Sequence, residues 1–451
     1  MPAPQVRWST KPCRPIPERS VNTPPGSSSK RKGVDVNQQQ SQYVIVGGSA
    51  AGMAAAHAIR EKDPRGKITV LSAEPDAPYF RPLIPFLVAG KKTPAEMAMT
   101  GCGPYTGKNI VIQTRARVAS VDTTACCVVM EDGTRHGYKK ILFATGSRPY
   151  VPPDIEGTDA EGVFALRTLV DAREMAARRE RTTHAVMLGG GLLNLKAAFA
   201  LLEKGVRVTL VVYSPEVLSQ LMEPEDATLI RRALDKAGLS IMTGVAATGI
   251  IADASGVTAV ALDNGDTLAC QMVCIGKGVR PNVEFLAGSD VAVDGGIVAD
   301  RYTGASLPDT YTAGDVAVTY EPVTGAPIMT ALWTNAVEMG RCAGLNMAGV
   351  KTVYTGTFGI LNATQVADEP FVSMGVVHTT GKDCEIYQKA TSSTFRKLVF
   401  DANGTRLIGA VLVGDITNAG LYRYVIREKM DVARFKRPLI DHTLHYGHFM
   451  R

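Results

Sequence analysis

Two glycine-rich turns stand about 140 residues apart in this chain, each between a short apolar run and an Ala-rich stretch. The first is Val44-Ile45-Val46-Gly47-Gly48-Ser49-Ala50-Ala51-Gly52. The second is Val186-Met187-Leu188-Gly189-Gly190-Gly191-Leu192-Leu193-Asn194. A strand that turns through glycines into a helix lets the backbone come close to a pyrophosphate. The helix start adds unpaired N–H groups and the positive end of a dipole. One such turn is a weak signal. Two, with Thr310-Tyr311-Thr312-Ala313-Gly314-Asp315 downstream, point to two dinucleotides held against each other, a flavin and a nicotinamide.

Size and charge narrow the class. A chain of 451 residues is long enough for two or three domains. Its 45% hydrophobic and 20% charged residues are those of a soluble globular protein. No apolar run is long enough to span a membrane. The net charge of +6 is concentrated in residues 1–40, where seven Lys/Arg face only Glu18 and Asp35. The rest is nearly neutral and offers no nucleic-acid surface. The eight cysteines show no metal-ligand spacing. Cys126 and Cys127 are expected on one strand, pointing to opposite faces. Cys270 and Cys274 read as packing residues. Free thiols fit a reducing compartment, so the expected location is cytoplasmic.

The chain organises as α/β, with two nested Rossmann-like FAD and NAD(P) binding domains and a separate C-terminal α+β module. Residues 1–40 are rich in Pro, Ser, Gln and basic groups and read as disordered; a dispensable tail or an overlong gene prediction is favoured over a transit peptide. Residues 41–153 and 286–350 are assigned to the FAD-binding domain, 154–285 to the NAD(P)-binding domain and 351–451 to a separate α+β module. Tyr43–Val46, Gly52–Arg60 and Lys67–Leu71 form a first βαβ unit; a second runs from Ala185 to Val212. Helices are expected over Ala331–Ala348 and Leu421–Lys429.

Each motif has a plainer reading. Ser49 replaces the second glycine of G-x-G-x-x-G, yet is small enough for a pyrophosphate to approach. A ribose is usually met by an acidic side chain at the end of the second strand. Glu74 is the carboxylate within reach, a residue or two late, and could instead be a solvated loop charge. Asp315 ends a strand at the sheet edge where ligands bind, and could accept from a ribityl hydroxyl; capping the next helix is its alternative.

On these residues the chain resembles the FAD-dependent pyridine nucleotide-disulfide oxidoreductase family: rubredoxin and ferredoxin reductases, apoptosis-inducing factor and coenzyme A disulfide reductase. The resemblance runs from about Tyr43 to Lys436. It is carried by Gly47–Gly52, Pro78-Tyr79-Phe80-Arg81-Pro82, Ala144-Thr145-Gly146-Ser147-Arg148-Pro149, Gly189–Gly191, Gly278-Val279-Arg280-Pro281-Asn282 and Ala313-Gly314-Asp315. It implies that Arg81 and Pro82 lie along the FAD diphosphate and flavin, and that Thr145 and Gly146 pass near the adenine. It also implies that Leu332 and Trp333 begin a helix aimed at the flavin pyrimidine. Gly189, Gly190, Gly191 and Leu192 would hold the second cofactor, and residues 351–451 would be the C-terminal interface, or dimerisation, domain. Within the group, the chain is most similar to flavoprotein subunits of anaerobic multi-subunit oxidoreductases linked to NAD.

The departures bear on chemistry. The stretch Arg81-Pro82-Leu83-Ile84-Pro85-Phe86-Leu87 contains no cysteine, and Cys102 stands some twenty residues on, so thiol–disulfide exchange at a flavin is not expected. Asn194 replaces the third glycine of the second turn. Lys196 stands where the family has a Glu, and Val212 where it has an acidic residue for the NAD ribose. No arginine follows to reward a 2′-phosphate, so NADH is favoured over NADPH. His442, His445 and His448 could line one helix face and bind a metal, but read better as a surface or interface segment.

The expected function is an FAD-dependent NAD(P)H:acceptor oxidoreductase without a catalytic side chain. Its expected partner is a protein electron carrier or an iron–sulfur or metal subunit, in a homodimer or hetero-oligomer. Two alternatives are an FAD-bearing relay subunit with a degenerate nicotinamide site and a stand-alone NADH oxidase.

Overall fold

The computed structural model describes residues 38–99, 110–356 and 358–450. The expected tail up to residue 37, Cys13 and Cys102 lie outside them. The first sheet grows around the first glycine turn. Ile110–Gln113, Ile68–Leu71, Gln38–Val46, Arg135–Phe143 and Thr310–Thr312 lie side by side, all parallel. Val44, Ile45, Ile68, Val70, Ile141 and Leu142 are fully buried, as expected for strands covered on both faces. The tail boundary at residue 40 is corrected: Gln38–Gln40 pair with Arg135, His136 and Gly137. Polar side chains hid this stretch, but a ladder needs only backbone. Cys126 and Cys127 do not share a strand. Cys126 turns at φ +52, and Cys127 begins Cys127–Met130.

The second sheet has the order Ser240–Thr243, Arg207–Val212, His184–Leu188, Met272–Ile275, Val163–Phe164, again all parallel. The chain crosses to it through Ser147–Pro149 and returns through Val279–Pro281, and these two segments pair antiparallel. A three-stranded antiparallel sheet, Ala247–Asp253, Gly256–Leu262 and Thr267–Ala269, packs beside it. Cys270 and Cys274 are buried here; burial pushes the Cys270 thiol up to about 11, as suits a packing residue.

The last module is an antiparallel sheet of Leu361–Val366, Glu369–Gly375, Leu407–Val413, Phe395–Asp401 and Cys384–Ala390. Helix Ala419–Arg427 packs on it through Tyr422, Val425 and Ile426. Among the described residues no helix is long and apolar enough to cross a membrane.

The helix that follows the first turn, Ala50–Lys62, lies against Trp333–Met347. Two glycines permit this. A Cβ on Gly340 would stand 2.1 Å from the Ala51 carbonyl oxygen, and one on Gly344 2.4 Å from that of Ala55. Because Ala51 meets Gly340 and Ala55 meets Gly344, the helices run parallel. Their N-termini therefore face the same sheet edge.

Candidate cofactor site

The first turn is built for close backbone approach. Gly47 has φ +118, and a Cβ on it would lie 2.0 Å from the Ala144 carbonyl oxygen. Only glycine fits there. A Cβ on Gly52 would lie 1.8 Å from the Gly47 oxygen, which brings helix and turn together. Ser49 precedes the helix in an extended conformation and makes no side-chain cap. The first N–H groups at Ala50, Ala51 and Gly52 thus lack a capping oxygen, the condition under which a helix start receives an anion. This cradle fits a pyrophosphate.

Gly48, Ser49, Ser72, Glu74, Tyr79 and Arg81 line one cleft beside that turn. Glu74 is not a solvated loop charge: it accepts from Arg81 Nη2 at 2.5 Å and from the Tyr79 hydroxyl at 2.6 Å. Burial raises the Tyr79 pKa, so its hydroxyl stays a neutral donor. Burial opposes the Arg81 charge, but its neighbours, Glu74 foremost, together outweigh it and the net shift is upward. Arg81 also donates to the Arg167 carbonyl at 2.6 Å. Pro82 follows in the short turn Arg81–Leu83, and the Phe80 and Trp333 rings lie 6.0 Å apart.

Asp315 joins the same network. Its Oδ2 accepts from Ser147 at 2.8 Å and from Arg167 at 2.7 Å. Asp315 is therefore held by side chains rather than spent on capping a helix. Gly314, at φ +81, sits so close that a Cβ there would be 3.0 Å from that of Ala51. Thr145 and Gly146 are fixed by Asn282: Thr145 Oγ1 donates to its carbonyl, its side-chain amide donates to the Thr145 carbonyl, and its backbone N–H donates to Gly146. Leu332 and Trp333 open the second helix at the same edge. Of the proposed flavin-side residues, Gly48, Ser49, Glu74 and Arg81 line this cleft, and Asp315 is linked to it through Arg167, whose carbonyl accepts from Arg81.

Ser72 lines this cleft, and Ser147 and Arg167 bond to Asp315 beside it; none of the three was singled out by the sequence as a site residue. Arg167 precedes a capping box of Thr168 and Asp171, which signals a helix start and says nothing of a ligand.

The second turn has the same construction on the second sheet. Gly189 has φ +112, and a Cβ on it would lie 2.4 Å from the Gly276 oxygen. Gly190 packs on the Val212 methyls, Gly191 is open, and Leu192 starts the helix. Asn194 is buried, and its side-chain amide donates to the Leu188 and Gly189 carbonyls at 3.0 and 2.9 Å. The missing third glycine is replaced by a side chain that braces the turn. Val212 is only 3% exposed, so it underlies the turn rather than facing a ligand. Burial lowers the pKa of half-buried Lys196.

The three histidines do not share a face. His442 turns inward to the Tyr422 hydroxyl at 2.7 Å, while His445 and His448 stack in the exposed turn at the chain end. No metal-holding group of side chains occurs among the described residues.

Two glycine cradles, each at the end of a parallel strand in its own sheet and joined by paired crossing strands, define a two-dinucleotide α/β flavoprotein. The chain belongs to the pyridine nucleotide-disulphide oxidoreductase family, whose pattern matches residues 41–340. Members of this family are FAD-dependent NAD(P)H oxidoreductases. The chain is 29% identical to the NADH-dependent phenylglyoxylate dehydrogenase subunit epsilon of Aromatoleum evansii, over 91% of this chain and 97% of that one. It is 28% identical to the rubredoxin-NAD(+) reductase of Ectopseudomonas oleovorans, over 68% and 80%. Among solved structures, an NAD-dependent persulfide reductase from A. fulgidus superposes with a TM-score of 0.80 at 26% identity, over 86% and 77%.

Proposed function

We propose that this chain is an FAD-dependent NAD(P)H:acceptor oxidoreductase that exchanges electrons with a protein partner. One observation carries the reading: Arg167, on the segment entering the second sheet's helix, is paired with Asp315 of the first sheet. That pair holds the halves bearing the two cradles in register. Residues 38–153 and 286–350 would bind FAD, 154–285 the nicotinamide, and 351–451 would form the interface.

FAD, when bound, supplies the site that takes a hydride and passes electrons on. The chain's own task is positioning. Gly47–Gly52 and the helix start would hold the pyrophosphate, and Asp315 the ribityl chain. Phe80 and Trp333 would border the ring. The relatives act with rubredoxin or as one subunit of a dehydrogenase, which supports a protein partner here. Arg81–Leu87 offer no thiol, which supports chemistry other than disulfide reduction. Six cysteines are free among the described residues and four of them are buried. They support a cytoplasmic location.

The test is twofold. The purified chain should be yellow, with about one FAD released per chain on denaturation; a colourless protein that FAD cannot reconstitute would sink the reading. Anaerobic stopped-flow with NADH should then bleach the flavin. Val212 and Lys196 favour a second reading, a relay subunit that no longer uses nicotinamide. It prevails if neither NADH nor NADPH reduces the flavin, even with partner subunits present.

A further inference from the structure

Leu218 is buried in a backbone conformation that its side chain opposes: its φ is +54, in the left-handed region. A bulky residue keeps such a backbone only where its surroundings fix it. From there the Leu218 N–H donates to the Gly190 carbonyl at 3.0 Å, which ties the chain after strand Arg207–Val212 to the second glycine turn. What fixes Leu218 lies just downstream. The Leu221 and Met222 N–H groups donate back to the Leu218 carbonyl at 2.7 and 3.2 Å. The Leu221 carbonyl accepts in turn from Ser373 Oγ at 2.5 Å, and Ser373 is a fully buried residue of the C-terminal sheet.

The same sheet grips the next two acidic residues. Lys397, on strand Phe395–Asp401, is fully buried. Its ammonium bonds Glu223 and lies 3.2 Å from Asp226 Oδ2 and from the Val377 carbonyl. Three acceptors thus meet its three protons. Glu223 also accepts from the Thr379 N–H at 2.7 Å and the Thr379 hydroxyl at 3.0 Å. Asp226 accepts from the Glu223 N–H at 3.3 Å, which closes the short turn Pro224–Ala227. Both carboxylates follow the second sheet's strand, while the cation comes from the C-terminal sheet. Such a cluster is a poor source of stability. Taking the charges out of water offsets much of their attraction, and apolar residues of similar volume often serve as well. What the charges add is a fixed register, since an apolar contact can slide and a fully bonded ammonium cannot.

We propose that Lys397 is a positioning residue for the nicotinamide cofactor. Acting through Glu223 and Asp226, and alongside Ser373, it holds Leu218 against Gly190, so the C-terminal sheet sets the shape of the second cradle. This rests on the reading that the second cradle binds a nicotinamide dinucleotide. The glycine turn supplies the contacts to the nucleotide, and Lys397 touches none of it.

The experiment is calorimetric titration of the FAD-loaded full chain with NADH, beside urea denaturation of the same samples. Lys397→Met should weaken NADH binding by about tenfold or more with FAD content unchanged. That variant also leaves Glu223 and Asp226 without their cation, so the deciding one is the triple replacement Lys397→Met, Glu223→Leu and Asp226→Leu. It should regain the urea midpoint of the unmodified chain yet still bind NADH about tenfold more weakly. Ser373→Ala, which removes only the bond to Leu221, should weaken NADH by roughly 2- to 10-fold. NADH affinity within about twofold of the unmodified chain in the triple variant would overturn the positioning role and leave the cluster purely structural. The same result in Ser373→Ala would overturn it should the triple variant fail to fold. An unmodified chain that binds neither NADH nor NADPH overturns instead the reading of the second cradle, and the proposal with it.

Discussion

The side chain of Asn194 occupies the space that a side chain on Gly276 would need: a Cβ on Gly276 would stand 2.3 Å from Asn194 Oδ1. The two residues are complementary. One gives up its side chain so that the other can reach the Leu188 and Gly189 carbonyls. Gly276→Ala should displace Asn194 and loosen the second turn, at a cost of about 1–3 kcal/mol, typical of overpacking a filled site. Nucleotide binding should weaken while FAD content holds. Calorimetry with FAD quantification checks this, and an unchanged affinity for NADH would show that Asn194 does not brace the turn.

Asp315 and Arg167 make the second prediction. Asp315→Ala removes a carboxylate and leaves the Arg167 guanidinium, itself only partly exposed, without its ionic partner. A hydrogen bond to a charged group is worth roughly 1.5–3 kcal/mol, so FAD should be held about ten- to a hundredfold less tightly. Arg167→Ala should have a similar effect, because Asp315 and Ser147 then lose their shared donor. The dissociation constant of FAD, measured by reconstitution of the apoprotein, is the readout. Full retention in both variants would remove this pair from the flavin site.

What was legible in the sequence and what was not is a matter of range. Gly47, Gly189 and Asp315 announce themselves through local pattern, because a glycine turn between an apolar run and a helix is a contiguous feature. The helix Trp333–Met347 was likewise readable from composition. Arg167 reaches across to a residue 148 positions away, and no periodicity records such a reach. Val212 could be placed at the strand end by counting, but only packing shows its methyls beneath Gly190. The strand Gln38–Gln40 was missed because its pairing is made by backbone, while its side chains read as tail.

That strand yields a third expectation. A chain beginning at Gln38 should fold, bind FAD and melt like the full-length protein. One beginning at Gln42 loses the ladder to Arg135–Gly137 and the buried Ser41–Thr69 hydroxyl bond of 2.7 Å. That bond alone is worth about 1 kcal/mol, so the shorter chain should melt a few degrees lower. Equal melting temperatures would show that the strand's first residues contribute nothing.

The helix pair beside the flavin cradle sets two effects against each other. Replacing glycine by alanine inside a helix normally gains roughly 1 kcal/mol. At Gly340 the added methyl would stand 2.1 Å from the Ala51 carbonyl oxygen, which belongs to backbone and cannot swing aside. The clash should win. Gly340→Ala should destabilise the fold and release FAD, since Ala51 lies in the first turn of the pyrophosphate helix. Gly420, with open space around it, is the control: Gly420→Ala should cost nothing. Undiminished FAD binding in Gly340→Ala would mean that the helices can part without disturbing the cradle.

The final prediction concerns charge buried between the second sheet's domain and the C-terminal sheet. Lys397 is fully buried, bonded to Glu223 and lying 3.2 Å from Asp226 Oδ2 and from the Val377 carbonyl. Glu223 also accepts from the Thr379 N–H at 2.7 Å. Burial would raise its pKa, but Lys397 and Thr379 prevail and bring it from 4.5 to about 2. For Asp226 burial prevails and the shift is upward. The signs are opposite. Glu223 is depressed in the folded state, so its contribution is present above pH 4.5 and lost as pH falls toward 2. Asp226 is raised, so its ionisation costs stability, and protonation at low pH relieves that cost. Glu223→Gln should therefore destabilise at pH 7 and flatten the acid limb between about pH 4.5 and 2. Asp226→Asn should be near neutral or stabilising at pH 7. Lys397→Met, which leaves buried Asp226 and partly buried Glu223 without their shared cation, should cost on the order of 3–5 kcal/mol. Urea denaturation across this pH range measures all three, and a Glu223→Gln acid limb that superposes on that of the unmodified chain would rule out Glu223 as the group that titrates there.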